Sequence, residues 1–222
     1  MIISGWGLNL KIDSSIEYLN KKKINKFICK KKIIPRGMGR SYGDSSLQKR
    51  VIDIKKHNKI ISFDKNKGII HVSSGTTIKQ INSKIIPLGW FLPVTPGSQY
   101  ITVGGMIASN VHGKNQHIKG SFKNHVLQIK VLTKDRTLKI LKKKNKNFYN
   151  FFGTMGLLGI ILEAKIKLIK IESALINQKT IVTEDLSSTL KVFFQTKSSE
   201  YSVGWLDLSE KKITGKSIIF LG

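Results

Sequence analysis

Residues 96–115 read PGSQYITVGGMIASNVHGKN. The stretch carries Gly97, Gly104, Gly105 and Gly113, no acid, and one histidine, His112. Glycine inside an element costs conformational entropy, so such a run answers a need for close backbone approach. Pro96-Gly97 makes a turn. From Thr102 the sequence TVGGMIAS starts a helix whose first turn bears almost no side chain. Open N–H groups at such a start, reinforced by the helix dipole, favour an anion, and the missing acids point the same way. The stretch therefore reads as a backbone cradle for a nucleotide diphosphate. Small residues also let a helix pack tightly on a neighbouring strand, and both readings stand at this stage.

A second loop repeats the pattern. Residues 36–47 read RGMGRSYGDSSL, with Gly37, Gly39 and Gly43 closely spaced and Arg36, Arg40, Ser41 and Tyr42 as added donors. Consecutive N–H groups in such turns form nests for phosphate oxygens. The spacing is neither G-x-G-x-x-G nor a Walker loop ending in G-K-[ST], so a nicotinamide Rossmann site or a P-loop is poorly supported.

Working outward, short β-rich runs at 50–54, 59–64 and 68–73 are separated by turn-like segments. Residues 76–89 form a helix: Ile78, Ile81 and Ile85 share a face, Thr76 or Thr77 caps it, and Gly89 follows its end. A second helix is expected over 13–22, capped by Asp13 or Ser14, with Ile16 and Leu19 on one face. Residues 26–35 read as a strand containing Cys29, most simply a core residue. Residues 126–133 and 137–141 resemble a hairpin, and 159–171 a long strand with Leu162, Ala164, Ile166 and Leu168 on one face. Composition shifts near residue 171 toward Ser and Thr, which places a domain boundary there. Residues 200–208 and 216–222 read as strands of a second unit.

The 222 residues hold 40% hydrophobic content, enough for a packed core. A single cysteine excludes an internal disulfide. No stretch approaches the ~20 apolar residues of a membrane span, and the start lacks a signal-peptide pattern. The formal charge of +26 admits nucleic acid or an anionic surface as a partner. The lysines, however, are dispersed and accompany an excess of Ile and Asn, as an AT-rich coding sequence produces. They are not interleaved with base-stacking aromatics, so no nucleic-acid site is expected. His112, His117 and His125 lack a cysteine or acid nearby in sequence, so no metal site is expected.

Together, residues 36–47, 72–126 and 152–168 resemble the FAD-binding (PCMH-type) half of the vanillyl-alcohol-oxidase superfamily. The likeness runs from ISGWG at 3–7 to SVGWLDL at 202–208, and HGKN-x-H-x-x-GSF-x-NHV at 112–126 is its most specific signature. It implies an α+β fold: two α/β subdomains of an FAD domain over residues 1–170, then the start of a mainly antiparallel substrate or cap domain over 171–222. It implies FAD held without a covalent link, because Arg40 stands where some relatives carry a flavinylated histidine.

By the same resemblance, Pro35, Arg36, Gly37, Met38, Gly39, Arg40, Ser41, Tyr42, Gly43, Asp44 and Ser45 would line FAD. So would Gly97, Thr102, Val103, Gly104, Gly105, Ser109, Asn110, Val111, His112 and, from the last strand, Ile161. His112, Lys114 and Tyr42 are the candidates to face the ring or substrate. Members oxidise a secondary alcohol, often of a sugar or sugar-lipid: a base takes the hydroxyl proton while hydride passes to flavin N5. An aldonolactone or alditol oxidase shares the same FAD domain and is the alternative. Such relatives are longer, and their C-terminal part supplies a substrate-facing lysine, so this chain reads as C-terminally truncated. A partner reductase completing an epimerisation is a further implication. The implied setting is cytoplasmic or peripherally membrane-associated, the latter through a lipid-linked substrate.

Overall fold

The computed structural model describes residues 1–19, 32–135, 137–209 and 215–222. Strands β1 (Ile2–Ser4) and β2 (Lys11–Asp13) form an antiparallel hairpin with Ile3 opposite Ile12. The chain then enters β3 (Ser15–Tyr18), not a helix. The helix expected over 13–22 is overturned as far as the described residues reach; 20–22 lie outside them. Ile16 packs with Ile3, Leu47 and Val51, whereas Leu19 joins a different cluster with Ile52 and Leu162, so the two never share a helical face. One apolar pair carries little helical preference, and strand pairing outweighs it.

Strand β4 (Ile34–Arg36) and β3 flank β5 (Arg50–Asp53) in a three-stranded parallel sheet. The Glu17 carboxylate accepts from the Arg50 guanidinium between β3 and β5. The strand expected over 26–35 meets β4 only at its end, and residues 26–31, Cys29 included, lie outside the described residues.

The larger unit follows in chain order: β6 (Ile60–Asp64), β7 (Ile69–Ser73), α1 (Ile78–Ile85), β8 (Trp90–Phe91), α2 (Val103–Ala108), α3 (Gln116–Lys119), β9 (Val126–Thr133), β10 (Leu138–Lys142), β11 (Gly159–Lys167) and β12 (Ile169–Lys170). Its five-stranded sheet has the order β10-β9-β11-β7-β6, with every neighbouring pair antiparallel. The expected hairpin is β9–β10. Helix α1 starts on a Thr77–Gln80 capping box and buries Ile78, Ile81 and Ile85; Gly89 adopts φ 76° just beyond it. These isoleucines, with Met106 and Ile107 of α2, cover one sheet face through Ile70, Val72, Ile129, Val131, Ala164 and Ile166.

Strand β11 departs from simple alternation. A register shift between Ile161 and Glu163 inserts one residue. Ile161 thereby joins Ala164 and Ile166 in the main core, while Leu162 turns with Ile160 to the cluster formed by Ile52, Ile54 and Leu132. Leu162 therefore does not share a face with Ala164, as strict alternation implies. The bulge lets one strand serve the cores on both faces of the sheet.

Beyond β12, β13 (Lys179–Thr183), α4 (Leu186–Gln195), β14 (Ser202–Asp207) and β15 (Lys216–Leu221) form an antiparallel sheet of order β13-β15-β14 with α4 packed on it. Its contact with the larger unit runs through residues 199–202. The Ser202 N–H donates to Lys114 O at 3.0 Å, and His117 Nε2 lies 2.8 Å from Ser199 O.

Candidate functional site

Strands β4 and β5 are parallel, so the chain must travel back between them, and residues 37–49 do this without a helix. Gly39 at φ 65° and Ser46 at φ 62° supply left-handed turns. The consequence is an unusual hydrogen-bond account. None of the backbone N–H groups of residues 37–46 donates to an acceptor among the described residues. Backbone donors are normally paired, so a continuous run of this kind is built to meet solvent or a ligand.

The loop forms one wall of a cleft of about 470 Å³, part of it open to solvent. Pro35, Gly37, Ser41, Ser45 and Ser46 line it on this side, Gly104, Gly105, Ala108 and Ser109 on the α2 side, Met155 and Gly156 on the approach to β11, and Gly159 and Ile161 in β11 itself. Ile54 also lines it. Met155 holds its place with a left-handed backbone, φ 52°. Its N–H donates to Ala108 O at 2.9 Å, and its thioether accepts from Ser109 Oγ at 3.5 Å.

Helix α2 does not present open N–H groups. Val103 N donates to Thr76 O at 2.9 Å, Gly104 N to Ser74 O at 2.7 Å, and Gly105 N to the Thr102 hydroxyl at 3.2 Å. The expectation that this helix start cradles a diphosphate through free donors is corrected: chain 74–76 and the Thr102 cap consume them. Gly104 follows the packing alternative, since a Cβ there would stand 3.1 Å from Ser74 Cβ and 3.2 Å from Ile54 Cδ1. At Gly105 a Cβ would meet only Thr102 Oγ1 at 3.2 Å and Ile101 Cγ2 at 3.9 Å. Gly105 is thus the position whose bare backbone leaves space at the cleft.

The structure gathers Pro35, Gly37, Ser41, Ser45, Gly104, Gly105, Ser109 and Ile161 around one cleft, although they are spread over more than half the chain. Other named residues stand apart from its lining. Arg36 turns its guanidinium to the Ser4 and Ser46 carbonyls, at 2.6 and 3.3 Å. Burial lowers the pKa of this group, and the charge of Asp53 opposes the shift. Arg40 lies exposed over the Trp6 ring at 4.8 Å from its centroid. Met38, Gly39, Gly43, Asp44, Gly97, Thr102, Val103, Asn110 and Val111 do not line the cleft.

Tyr42 is 87% exposed, and His112 and Lys114 are also exposed; none of the three lines the cleft. His112 forms a backbone bridge with Ser121. Asn115 is buried, donating from Nδ2 to Pro93 O at 2.8 Å, while its Oδ1 has no hydrogen-bond partner among the described residues. Ser46, Ile54, Ala108, Met155, Gly156 and Gly159 are cleft residues that the sequence reading did not name. The glycine run in 153–159 was the available signal for three of them. Among the described residues, no group of three or more His, Cys, Asp or Glu gathers as a metal site. No helix among those residues is long and apolar enough to cross a membrane.

A family model described as "FAD binding domain" matches residues 21–141. Decaprenylphosphoryl-beta-D-ribose oxidase of Mycolicibacterium smegmatis is 36% identical over 200 residues, covering 86% of this chain and 43% of that protein. D-lactate dehydrogenase of Anaerostipes hadrus is 27% identical over 185 residues, covering 78% of this chain and 38% of that protein. Among solved structures, an alkyldihydroxyacetonephosphate synthase superposes with a TM-score of 0.75 at 14% identity, covering 93% of this chain and 47% of that one, a likeness of fold. The chain thus spans less than half the length of these relatives.

Proposed function

The chain belongs to the FAD binding domain family, and we propose on that premise that it is the cofactor-holding part of an FAD-dependent oxidoreductase acting on a secondary alcohol. The observation that carries the reading is the run of N–H groups at 37–46 with no acceptor among the described residues, set along a cleft whose other wall is the side-chain-poor start of α2. A diphosphate offers the oxygens such a run lacks. FAD supplies, when bound, an acceptor for the hydride of an alcohol C–H.

This chain's residues would do the remaining work. The 37–46 loop holds the diphosphate by backbone. Gly105 leaves the α2 wall bare, and Ile161 limits the cleft from β11. His112, Lys114 and Tyr42 are the exposed polar groups assigned to the substrate side, and an alcohol oxidation needs one group within hydrogen-bond reach of the hydroxyl to take its proton. No residue of the 37–46 loop is a histidine or cysteine, which supports a non-covalent cofactor. Similarity to the decaprenylphosphoryl-ribose oxidase favours a sugar or sugar-lipid alcohol. Similarity to D-lactate dehydrogenases supports a second reading, a small 2-hydroxy acid.

The test is a spectrum of the purified protein after incubation with FAD, followed by acid precipitation. Bound flavin that is released to the supernatant is the expected result. A protein that takes up no flavin overturns the proposal, and colour retained in the pellet overturns the non-covalent attachment. Anaerobic bleaching by ribose-type sugars and alditols, against D-lactate, separates the two substrate readings.

A further inference from the structure

Arg36 sits where the donor-rich loop begins, yet its side chain turns away from the cleft. One guanidinium nitrogen donates to Ser4 O at 2.6 Å, and the other lies 3.3 Å from Ser46 O. Ser46 is the residue at which the loop ends, so the side chain of the first residue is tied to the carbonyl of the last. The same fork fastens the loop to the β1–β2 hairpin. Two further contacts run along this seam. Trp6 N donates to Ser41 O at 3.2 Å, and Gly5 lies so close that a Cβ there would stand 3.1 Å from Gly43 O. Gly39 completes the arrangement: a Cβ at that position would run into the Arg36 guanidinium. Gly39 therefore serves two requirements, a φ of 65° and room for the arginine beneath the loop.

We propose that Arg36 is a positioning residue that clasps the two ends of the 37–46 loop and fastens it to the N-terminal hairpin, holding its N–H groups in a converged array for a diphosphate. The clasp rests on the FAD reading given above. It assigns Arg36 a role other than phosphate contact, although an arginine in a phosphate loop is ordinarily read as a ligand. The loop carries no internal backbone hydrogen bonds of its own, so its shape must come from outside it. Arg36, the hairpin and, at Gly37, the Thr102 side chain are what the structure supplies. A planar guanidinium spans two carbonyls at once, and a lysine ammonium on a flexible stem is not an equivalent fork.

The test compares wild type, Arg36→Met and Arg36→Lys by FAD affinity and by amide hydrogen exchange with and without FAD. Wild type is expected to bind FAD and to gain protection across 37–46. Both variants are expected to bind FAD at least tenfold more weakly and to lose that gain. Protection in the five-stranded sheet should stay unchanged, which a merely structural role would not leave intact. Wild-type affinity in Arg36→Met overturns the clasp. Wild-type affinity in Arg36→Lys alone also overturns it, because charge rather than the fork would then suffice. Loss of sheet protection in Arg36→Met, repeated in the milder Arg36→Gln, overturns it in favour of a folding role. Failure of wild type to bind FAD would instead strike the underlying reading. FAD binding without protection at 37–46 would leave FAD standing and remove the loop from the diphosphate.

Discussion

Gly104 and Gly105 are neighbours in α2, and alanine at each should do opposite things. A methyl at 104 would sit 3.1 Å from Ser74 Cβ, 3.2 Å from Ile54 Cδ1 and 3.2 Å from Ser74 O. Carbon contacts are comfortable at about 3.5–4.0 Å, so the surroundings must yield by several tenths of an ångström. Ser74 O cannot retreat freely, because it accepts the Gly104 N–H at 2.7 Å. Overpacking of this kind costs about 1–3 kcal/mol, against which alanine regains up to about 1 kcal/mol of helix propensity. The net loss is about 1 kcal/mol, or about 2–4 °C in Tm for a chain of this size. At 105 the methyl has one tight neighbour, the Thr102 hydroxyl at 3.2 Å, and otherwise only the end of Ile101 at 3.9 Å, so the propensity gain offsets the smaller strain and the ligand-free protein should stay near the wild-type Tm, above Gly104→Ala. The order reverses for FAD. The Gly105 methyl occupies cleft space, and a loss of about 1.4 kcal/mol is tenfold in affinity. Gly104→Ala should bind FAD within about threefold of wild type. Thermal melts without FAD and flavin-fluorescence titrations read both quantities. If Gly105→Ala melts lower than Gly104→Ala and binds FAD as wild type does, the assignment of packing to one glycine and cleft space to the other is wrong.

Thr183, Thr189 and Ser217 form a buried hydroxyl triangle with edges of 2.6, 2.7 and 2.8 Å. Thr189→Val removes a partner from both neighbours and should cost about 1–3 kcal/mol in a denaturant melt; a change below about 0.5 kcal/mol would contradict it. Burial lowers the pKa of His125, its bond to Lys119 O opposes this, and the charges of Lys143 and Lys119 add to the lowering. The folded-state value thus lies below the unfolded one, and the unfolded chain binds the proton first. Stability should fall as pH drops from about 7 through the ordinary histidine range, and His125→Gln should flatten that slope. Stability that rises on acidification over this range in wild type would reverse the sign. The +26 charge should give only weak duplex-DNA binding that disappears by physiological salt, and tight binding surviving there would make the dispersed lysines a genuine nucleic-acid surface.

Much of the fold is readable where period and caps agree. Helix α1 announces itself three times, by its isoleucine spacing, by Thr77 with Gln80, and by Gly89. The β9–β10 hairpin is equally plain from alternation. The failures share a cause, which is that partners distant in sequence decide them. Residues 15–18 become a strand because β5 offers a parallel neighbour and Val51 a packing surface for Ile16, thirty-five residues away. Strict alternation in β11 fails because Ile160 and Leu162 must fill one cluster while Ile161 and Ala164 fill another, which takes an inserted residue. Neither requirement leaves a local mark.

The site follows the same division. Glycines mark where backbone comes close to something, and the sequence shows their positions. It cannot show what approaches. At Gly37 the near neighbour is the Thr102 hydroxyl, at Gly104 it is Ser74, and at Gly156 it is the Pro35 ring, so three glycines of the cleft lining are bare for packing. Whether a backbone can bind an anion depends instead on a balance of donors and acceptors. That balance is settled when chain 74–76 docks on the start of α2 and takes its N–H groups, while no acceptor among the described residues takes those of 37–46. Of two glycine-rich segments that look alike as text, the fold uses up the donors of one and spares those of the other. The conspicuous VGG helix start therefore spends its donors and Gly104 on packing and forms one wall of the cleft with Gly105. The less regular RGMGRSYGDS loop, tied to the β1–β2 hairpin through Arg36 and the Trp6 N–H, keeps the donors that our proposal assigns to an anion.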